Sequence, residues 1–164
     1  MKADRRNKYL IVTVISLLVI ALDQYTKYLI MQSFALHQSL DVIQHYVTIV
    51  HARNKGIAFG IFAAQGSGTQ TILLIITSCL AISFIFYLVS SLKAKQLYAT
   101  ITLSLILGGA IGNLIDRIRW REVVDFIDLH WHHYHWPAFN VADSAISVGL
   151  VLLIIGLFTK KFPS

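Results

Sequence analysis

Long apolar runs separated by short polar segments organise this chain. After a basic start at Lys2, Arg5, Arg6 and Lys8, apolar residues run from Tyr9 to Leu22. A helix there must continue through Asp23 and Lys27 to about Ile30 before it can cross a bilayer, which takes roughly 20 residues. Ile72 to Val89, Tyr98 to Ile115 and Phe139 to Phe158 are three further spans, the last ending at Lys160-Lys161. The pattern predicts an all-α polytopic membrane protein, one integral domain over 1–164 with transmembrane helices at about 9–30, 72–89, 98–115 and 139–158. Four spans put both termini on one side.

The segment of about 31–70 between the first two spans has a different texture. Val42 to Arg53 is rich in β-branched and aromatic residues, and Asn54-Lys55-Gly56 supplies a turn before Ile57 to Phe62. A small β element on the face opposite the termini follows from this pattern. Gly66-Ser67-Gly68 reads as a short flexible joint into the second span. With no internal repeat, heptad array or low-complexity tract, the chain is one unit.

Composition supports the bilayer as solvent: 56% of residues are apolar, 13% are charged and the mean hydropathy is +0.66. The net charge of +6 raises the question of nucleic acid, but the lysines and arginines sit at helix ends and not along one amphipathic face. Membrane topology accounts for them, and no nucleic-acid partner is expected. Cys79, the only cysteine, lies inside an apolar run, so an internal disulfide or a CxxC site cannot be built. Ser33-Phe34-Ala35 weakly fits a cleavage site, yet Asp23 and Lys27 interrupt the hydrophobic stretch before it, so the first helix is expected to be retained.

Charge is distributed unevenly between the two faces. The side with the termini and the 92–96 turn holds Lys2, Arg5, Arg6, Lys8, Lys93, Lys95, Lys160 and Lys161, eight of the 14 basic residues, which points to cytoplasmic termini. Of the eight acids only Asp4 lies there. Asp23, Asp41, Asp116, Glu122, Asp125, Asp128 and Asp143 gather at or beyond the opposite boundary, which is where the chemistry is expected.

Several of these groups are costly in a membrane. Asp23 and Lys27, four apart on one helical face, can pair; a snorkelling interfacial pair and a buried functional one both fit. In Leu107 to Arg117, Gly108 and Gly112 stand one turn apart and permit close helix approach, while Asn113 and Asp116 follow three apart. An acid at a helix C-terminus opposes the macrodipole, so Asp116 requires Arg117 or another donor; a network that merely ties loop to helix and a functional site are both open. In Glu122 to Asp128, Asp125 stands between apolar pairs as in a short extended segment, where burial raises its pKa. Asn140 is a good N-cap for the fourth helix, and Asp143 falls where a first-turn acid complements the dipole. Capping does not explain why Asp143 coincides in depth with Asp125, Asp116 and Asp23. Two carboxylates together at low dielectric share a proton, so one can accept a proton from water while the other donates to a carbonyl oxygen, as in aspartyl peptide hydrolysis.

His130, His132, His133 and His135, between Trp131 and Trp136 or beside them, invite a metal reading. The alternative is an aromatic interfacial belt with polar tips, and without an HExxH pattern no metal is expected. No phosphate loop or nucleophile elbow is present in the sequence.

Five blocks in order resemble the lipoprotein signal peptidases, or signal peptidase II, the bacterial inner-membrane aspartyl peptidase family. They are Asp23-Gln-Tyr-Thr-Lys27, Arg53-Asn-Lys-Gly-Ile-Ala-Phe59, Gly108-Gly-Ala-Ile-Gly-Asn-Leu-Ile-Asp-Arg117, Val123-Val-Asp125 and Phe139-Asn-Val-Ala-Asp143, spread over nearly the whole chain. The resemblance implies four helices with cytoplasmic termini, a small extracytoplasmic β-cradle and a short periplasmic helix over the active site. It implies cleavage of prolipoproteins on the N-terminal side of a diacylglyceryl-modified cysteine, no metal or organic cofactor, and inhibition by the cyclic peptide globomycin. It also places a catalytic dyad on Asp125 and Asp143, with Asp23, Lys27, Asn54, Gly56, Asn113, Asp116, Arg117, Asn140 and Ala142 in support. Membrane lipids and lipidated substrates are the expected partners, and the chain is expected to act as a monomer.

The rival class is a small transporter or proton conduit, since intramembrane acids also mark ion pathways. A conduit needs polar groups through the membrane depth. The second span has only Thr77, Ser78 and Ser83, and the fourth has Ser144 and Ser147 near its start, so neither offers any near the opposite face.

Overall fold

The computed structural model describes residues 2–56 and 67–159. It contains four helices, α1 (Lys2–Ser33), α2 (Ser67–Ser91), α3 (Leu97–Trp120) and α4 (Val141–Phe158), each long and apolar enough to cross a membrane. At about 1.5 Å per residue the 32-residue α1 is roughly 48 Å long and outreaches a hydrocarbon core of about 30 Å. The apolar side chains on the outside of the bundle, among them Leu17, Leu18 and Leu22 of α1 and Leu80 and Phe84 of α2, are exposed. That inversion is stable only where the surrounding solvent is lipid.

Helix α3 is the hub. More than half of its apolar stretch is buried, against under a quarter in the other three helices, and it packs on all of them. Small residues permit this. A methyl group added at Gly108 would meet the Ser16 carbonyl oxygen of α1 at 3.0 Å, one at Gly109 would strike the Ala142 carbonyl of α4, and one at Gly112 would lie 2.8 Å from the Asp23 carboxylate. Close approach on two sides of α3 therefore depends on three missing side chains. It brings the polar end of α1 against the start of α4.

Between and after the helices lie strands β1 (Ser39–Ile43), β2 (Val47–Asn54), β3 (Val123–Trp131) and β4 (Tyr134–His135), forming an antiparallel sheet in the order β1-β2-β3-β4. The expected β element is thus a hairpin, β1-β2, and the expected extended segment around Asp125 is a strand paired with it. The register sets Ala52 opposite Asp125 and Asn54 opposite Val123, after a bulge between Ile49 and Ala52. A backbone bridge from Ile127 to Phe139 ties β3 to the entry of α4.

Helix α3 continues five residues beyond Ile115. It stops at Arg121, whose left-handed backbone (φ 62°) sends the N–H back to the Arg117 carbonyl at 3.0 Å and turns the chain into β3. Asp116 consequently sits a turn inside the helix and not at its end. Ser67 and Gly68, read as part of a flexible joint, open α2, whereas Gly66 and the Ile57 to Phe62 stretch lie outside the described residues. Among the described residues no short helix accompanies the sheet.

Candidate active site

The turn at Arg121 feeds β3 straight into the protein interior, so Val123 and Val124 are buried and Asp125 follows them at 2% exposure. Its two carboxylate oxygens have different partners. Asn54 at the end of β2 donates its Nδ2 to one at 2.9 Å, and Asn140 donates its Nδ2 to the other at 2.7 Å. Burial pushes Asp125 up from 3.8 to about 6; the Asp143 charge adds to the rise, while the hydrogen bonds from Asn54 and Asn140 oppose it.

Asn140 is the N-cap of α4. Its Oδ1 accepts the Asp143 N–H at 2.9 Å, and its own N–H donates to Asp143 Oδ2 at 3.3 Å, a reciprocal capping box. Asp143 is held there as a half-buried first-turn acid, favoured by the helix dipole. Capping and site building are one arrangement, because the amide that caps α4 with its oxygen holds Asp125 with its nitrogen. Asn113 of α3 adds a third link: its Nδ2 donates to Asp143 Oδ1 at 2.7 Å, and its Oδ1 accepts from Asn140 Nδ2 at 3.3 Å.

Behind this pair lies a buried ionic cluster. Lys27, 1% exposed, places its Nζ 2.8 Å from Asp23, 2.8 Å from Asp116 and 3.0 Å from the Asn113 side-chain oxygen. Of the two readings open for Asp23 and Lys27, a snorkelling pair and a buried one, the structure has the buried pair. Asp23 accepts the Ala142 N–H at 2.9 Å, and Asp116 accepts the Val124 N–H at 3.2 Å. One ammonium thus organises three helices, and through Asn113 it fixes the amide that faces Asp143. Of the donors open to Asp116, Arg117 or another, the structure supplies Lys27, Gln24 and a backbone N–H. Arg117 donates to the Asn113 carbonyl at 3.3 Å and acts through space on Asp143, Asp116 and Asp125.

Gly56 stands apart from the carboxylates. At φ 73° it donates its N–H to Asn54 Oδ1 at 2.7 Å, and this turn aims the Asn54 amide at Asp125. Gln24 escaped the sequence reading, although its Nε2 donates to Asp116 Oδ1 at 2.8 Å and to the Gly112 carbonyl at 3.2 Å. It shares the helical stripe of Asp23 and Lys27, so the 3.6-residue period was signal enough. Two clefts reach the carboxylates. One of about 360 Å³, lined by Arg53, Asn54 and Pro137, reaches Asp125, and another of about 370 Å³, lined by Leu129, Trp136, Phe139 and Val148, reaches Asp143. The second is predominantly apolar.

Two carboxylates in electrostatic contact, one desolvated and both held by neutral amide donors, can share one proton and so combine a base with an acid. That pairing suits addition of water to a carbonyl.

The family described as "Signal peptidase (SPase) II" matches residues 15–159. Relatives named lipoprotein signal peptidase include one from Syntrophotalea carbinolica, 47% identical over 148 residues (90% of this chain, 91% of the relative), and one from Geobacter metallireducens, 40% identical over 159 residues (95% of each). Two solved structures described as bacterial membrane enzymes superpose with TM-scores of 0.79 and 0.78 at 35% and 34% identity. They cover 89% and 90% of this chain and 91% and 87% of their own. With the match running from α1 to the end of α4, through every residue of the two carboxylate clusters, the chain belongs to the signal peptidase II family.

Proposed function

We propose that this protein is an intramembrane aspartyl endopeptidase that removes signal peptides from diacylglyceryl-modified prolipoproteins, cutting on the N-terminal side of the lipidated cysteine. The observation that carries the reading is Asn140, whose one buried side chain bridges Asp125 and Asp143, each of which lines a cleft. Asp125, the more buried, holds the shared proton, and Asp143 is the base. Asp143 takes a proton from water, the resulting hydroxide adds to the scissile carbonyl, and Asp125 donates its proton to the carbonyl oxygen. Collapse of the tetrahedral intermediate, which carries two hydroxyl groups, expels the cysteine amine, which receives the proton Asp143 had taken; one of the two hydroxyl protons returns to Asp125, leaving the carboxylic acid. No covalent acyl-enzyme forms. The apolar cleft beside α4 receives the lipid chains, globomycin competes for the same space, and the termini are cytoplasmic with the carboxylates near the periplasmic face, as the basic residues beside the termini support.

Mass spectrometry of products from a purified prolipoprotein tests the substrate class. Cleavage at the cysteine with the diacylglyceryl group present, and none from the unlipidated precursor, is expected; equal cleavage of both would remove the lipid from the recognition.

The pH profile has a definite sign. Rate requires the proton on Asp125, so kcat/KM should fall as pH rises through an apparent value near 6. Asn54→Ala removes a hydrogen bond that favours ionised Asp125 and should move this alkaline limb to higher pH. A limb that moves to lower pH would contradict the assignment.

A further inference from the structure

Strand β3 has a second polar cluster. Along a pleated strand Asp128 and His130, two apart, share one face, while Asp125, three before Asp128, points to the other. The β3-β4 register then sets His135 directly opposite His130. Their ring centroids lie 4.6 Å apart, His135 Nδ1 is 2.9 Å from Asp128 Oδ2, and His130 Nδ1 is 3.9 Å from Asp128 Oδ1. Ligand atoms of all three residues fall within 4.8 Å of one another.

The cluster is incomplete as an ion pair. The His130 side chain is only 10% exposed, and its Nδ1 is buried with no hydrogen-bond partner although it faces the carboxylate. Buried nitrogens of this kind are normally satisfied. A metal bound at about 2.0–2.2 Å from each ligand places donor atoms roughly 3.3 Å apart, so the three ligand atoms, which lie within 4.8 Å of one another, draw together and the stacked imidazoles tilt toward the ion on binding. Two imidazoles and a carboxylate are the donor set of open zinc and related first-row sites.

We propose that Asp128, His130 and His135 form a binding site for a divalent first-row transition-metal ion, zinc being the reference ion, at the β3-β4 end of the sheet and separate from the carboxylates of the peptidase reaction. Bound there, the ion clamps β4 to β3. It thereby fixes Trp136, whose backbone N–H donates to the Leu129 carbonyl at 2.8 Å and which lines the apolar cleft leading to Asp143. The ion takes no part in hydrolysis.

The test is zinc binding to the untagged full chain in detergent micelles, measured by competition with a chromophoric chelator and by the visible spectrum of the cobalt(II)-loaded protein. One ion per chain is expected. His130→Ala, His135→Ala and Asp128→Asn should each weaken binding at least about tenfold and remove the cobalt band, whereas His133→Ala and Asp125→Asn should retain both. Tryptophan fluorescence checks that each variant is folded, and His135 is exposed enough that its replacement leaves the fold intact. Absence of binding by the wild type, or binding that survives both His130→Ala and His135→Ala, would overturn the proposal, the second result placing the ion on the other histidines.

Discussion

Lys27→Met should destabilise the protein by about 3–5 kcal/mol, the usual consequence of removing one partner from a buried ionic group. The side chain that replaces the lysine would fit, since methionine has nearly the same length and is apolar. The cost lies in what it leaves behind. Asp23 and Asp116 are 0% and 2% exposed, and both have Lys27 Nζ at 2.8 Å. Without it two carboxylates share a desolvated space with only Gln24 and two backbone N–H groups to hold them. Thermal unfolding in detergent, followed by tryptophan fluorescence, should register a large drop in the midpoint. Adding Asp23→Asn should recover part of it, because one of the stranded charges is then gone. A single variant as stable as the wild type would mean that the cluster is neutralised by some other route. Folded Lys27→Met should also lose activity, because Asn113 loses the ammonium that orients its amide toward Asp143.

Much of this architecture is legible in the chain because the bilayer makes the code simple. Apolar runs of about 20 residues admit few structures other than helices, and a charge among them must find a partner. Asp23, Lys27, Asn113 and Asp116 stand out for that reason, and the motif blocks add Asn54, Asn140 and Ala142. What the sequence does not reveal is how backbone and register act. Ala142 has no side-chain chemistry, and its part in the cluster is its N–H on Asp23. The extent of β3 escapes because its nine residues, Val123–Trp131, read locally as a short apolar stretch followed by a polar loop; pairing with β2 and β4 makes it one strand. The same pairing explains why the four clustered histidines, His130, His132, His133 and His135, give no metal geometry from sequence alone. The carboxylate of the cluster, Asp128, comes from the strand, and only the hairpin register shows which histidines face it. The end of α3 is hidden for another reason: the helix runs past the membrane-length window to Trp120, so Asp116 is paired from within the bundle by a neighbouring helix.

The second large effect is on the carboxylates themselves. Asn replaces Asp at nearly constant shape, so Asp125→Asn keeps an oxygen for the Asn54 or Asn140 amide, and Asp143→Asn keeps one for the capping box. Neither substitution should unfold the protein. Asp125→Asn replaces a buried carboxyl, whose ionisation burial opposes, with a group that cannot ionise, and should be at least as stable as the wild type, the pattern of a site where stability is given up for chemistry. Activity should behave in the opposite way. General acid and general base contribute about 10²–10⁴-fold each, and neither Asn can accept a proton from water or deliver one to a carbonyl. Losing either group breaks the shared-proton pair, so the two single variants should be similarly inactive and the double variant little worse.

The most direct measurement is cleavage of a purified diacylglyceryl-modified prolipoprotein by the wild type, Asp125→Asn and Asp143→Asn, with unfolding transitions recorded on the same preparations. The account predicts cleavage by the wild type alone, with both variants folded. Cleavage retained by either folded variant would contradict the assignment of Asp125 and Asp143 as the reacting pair.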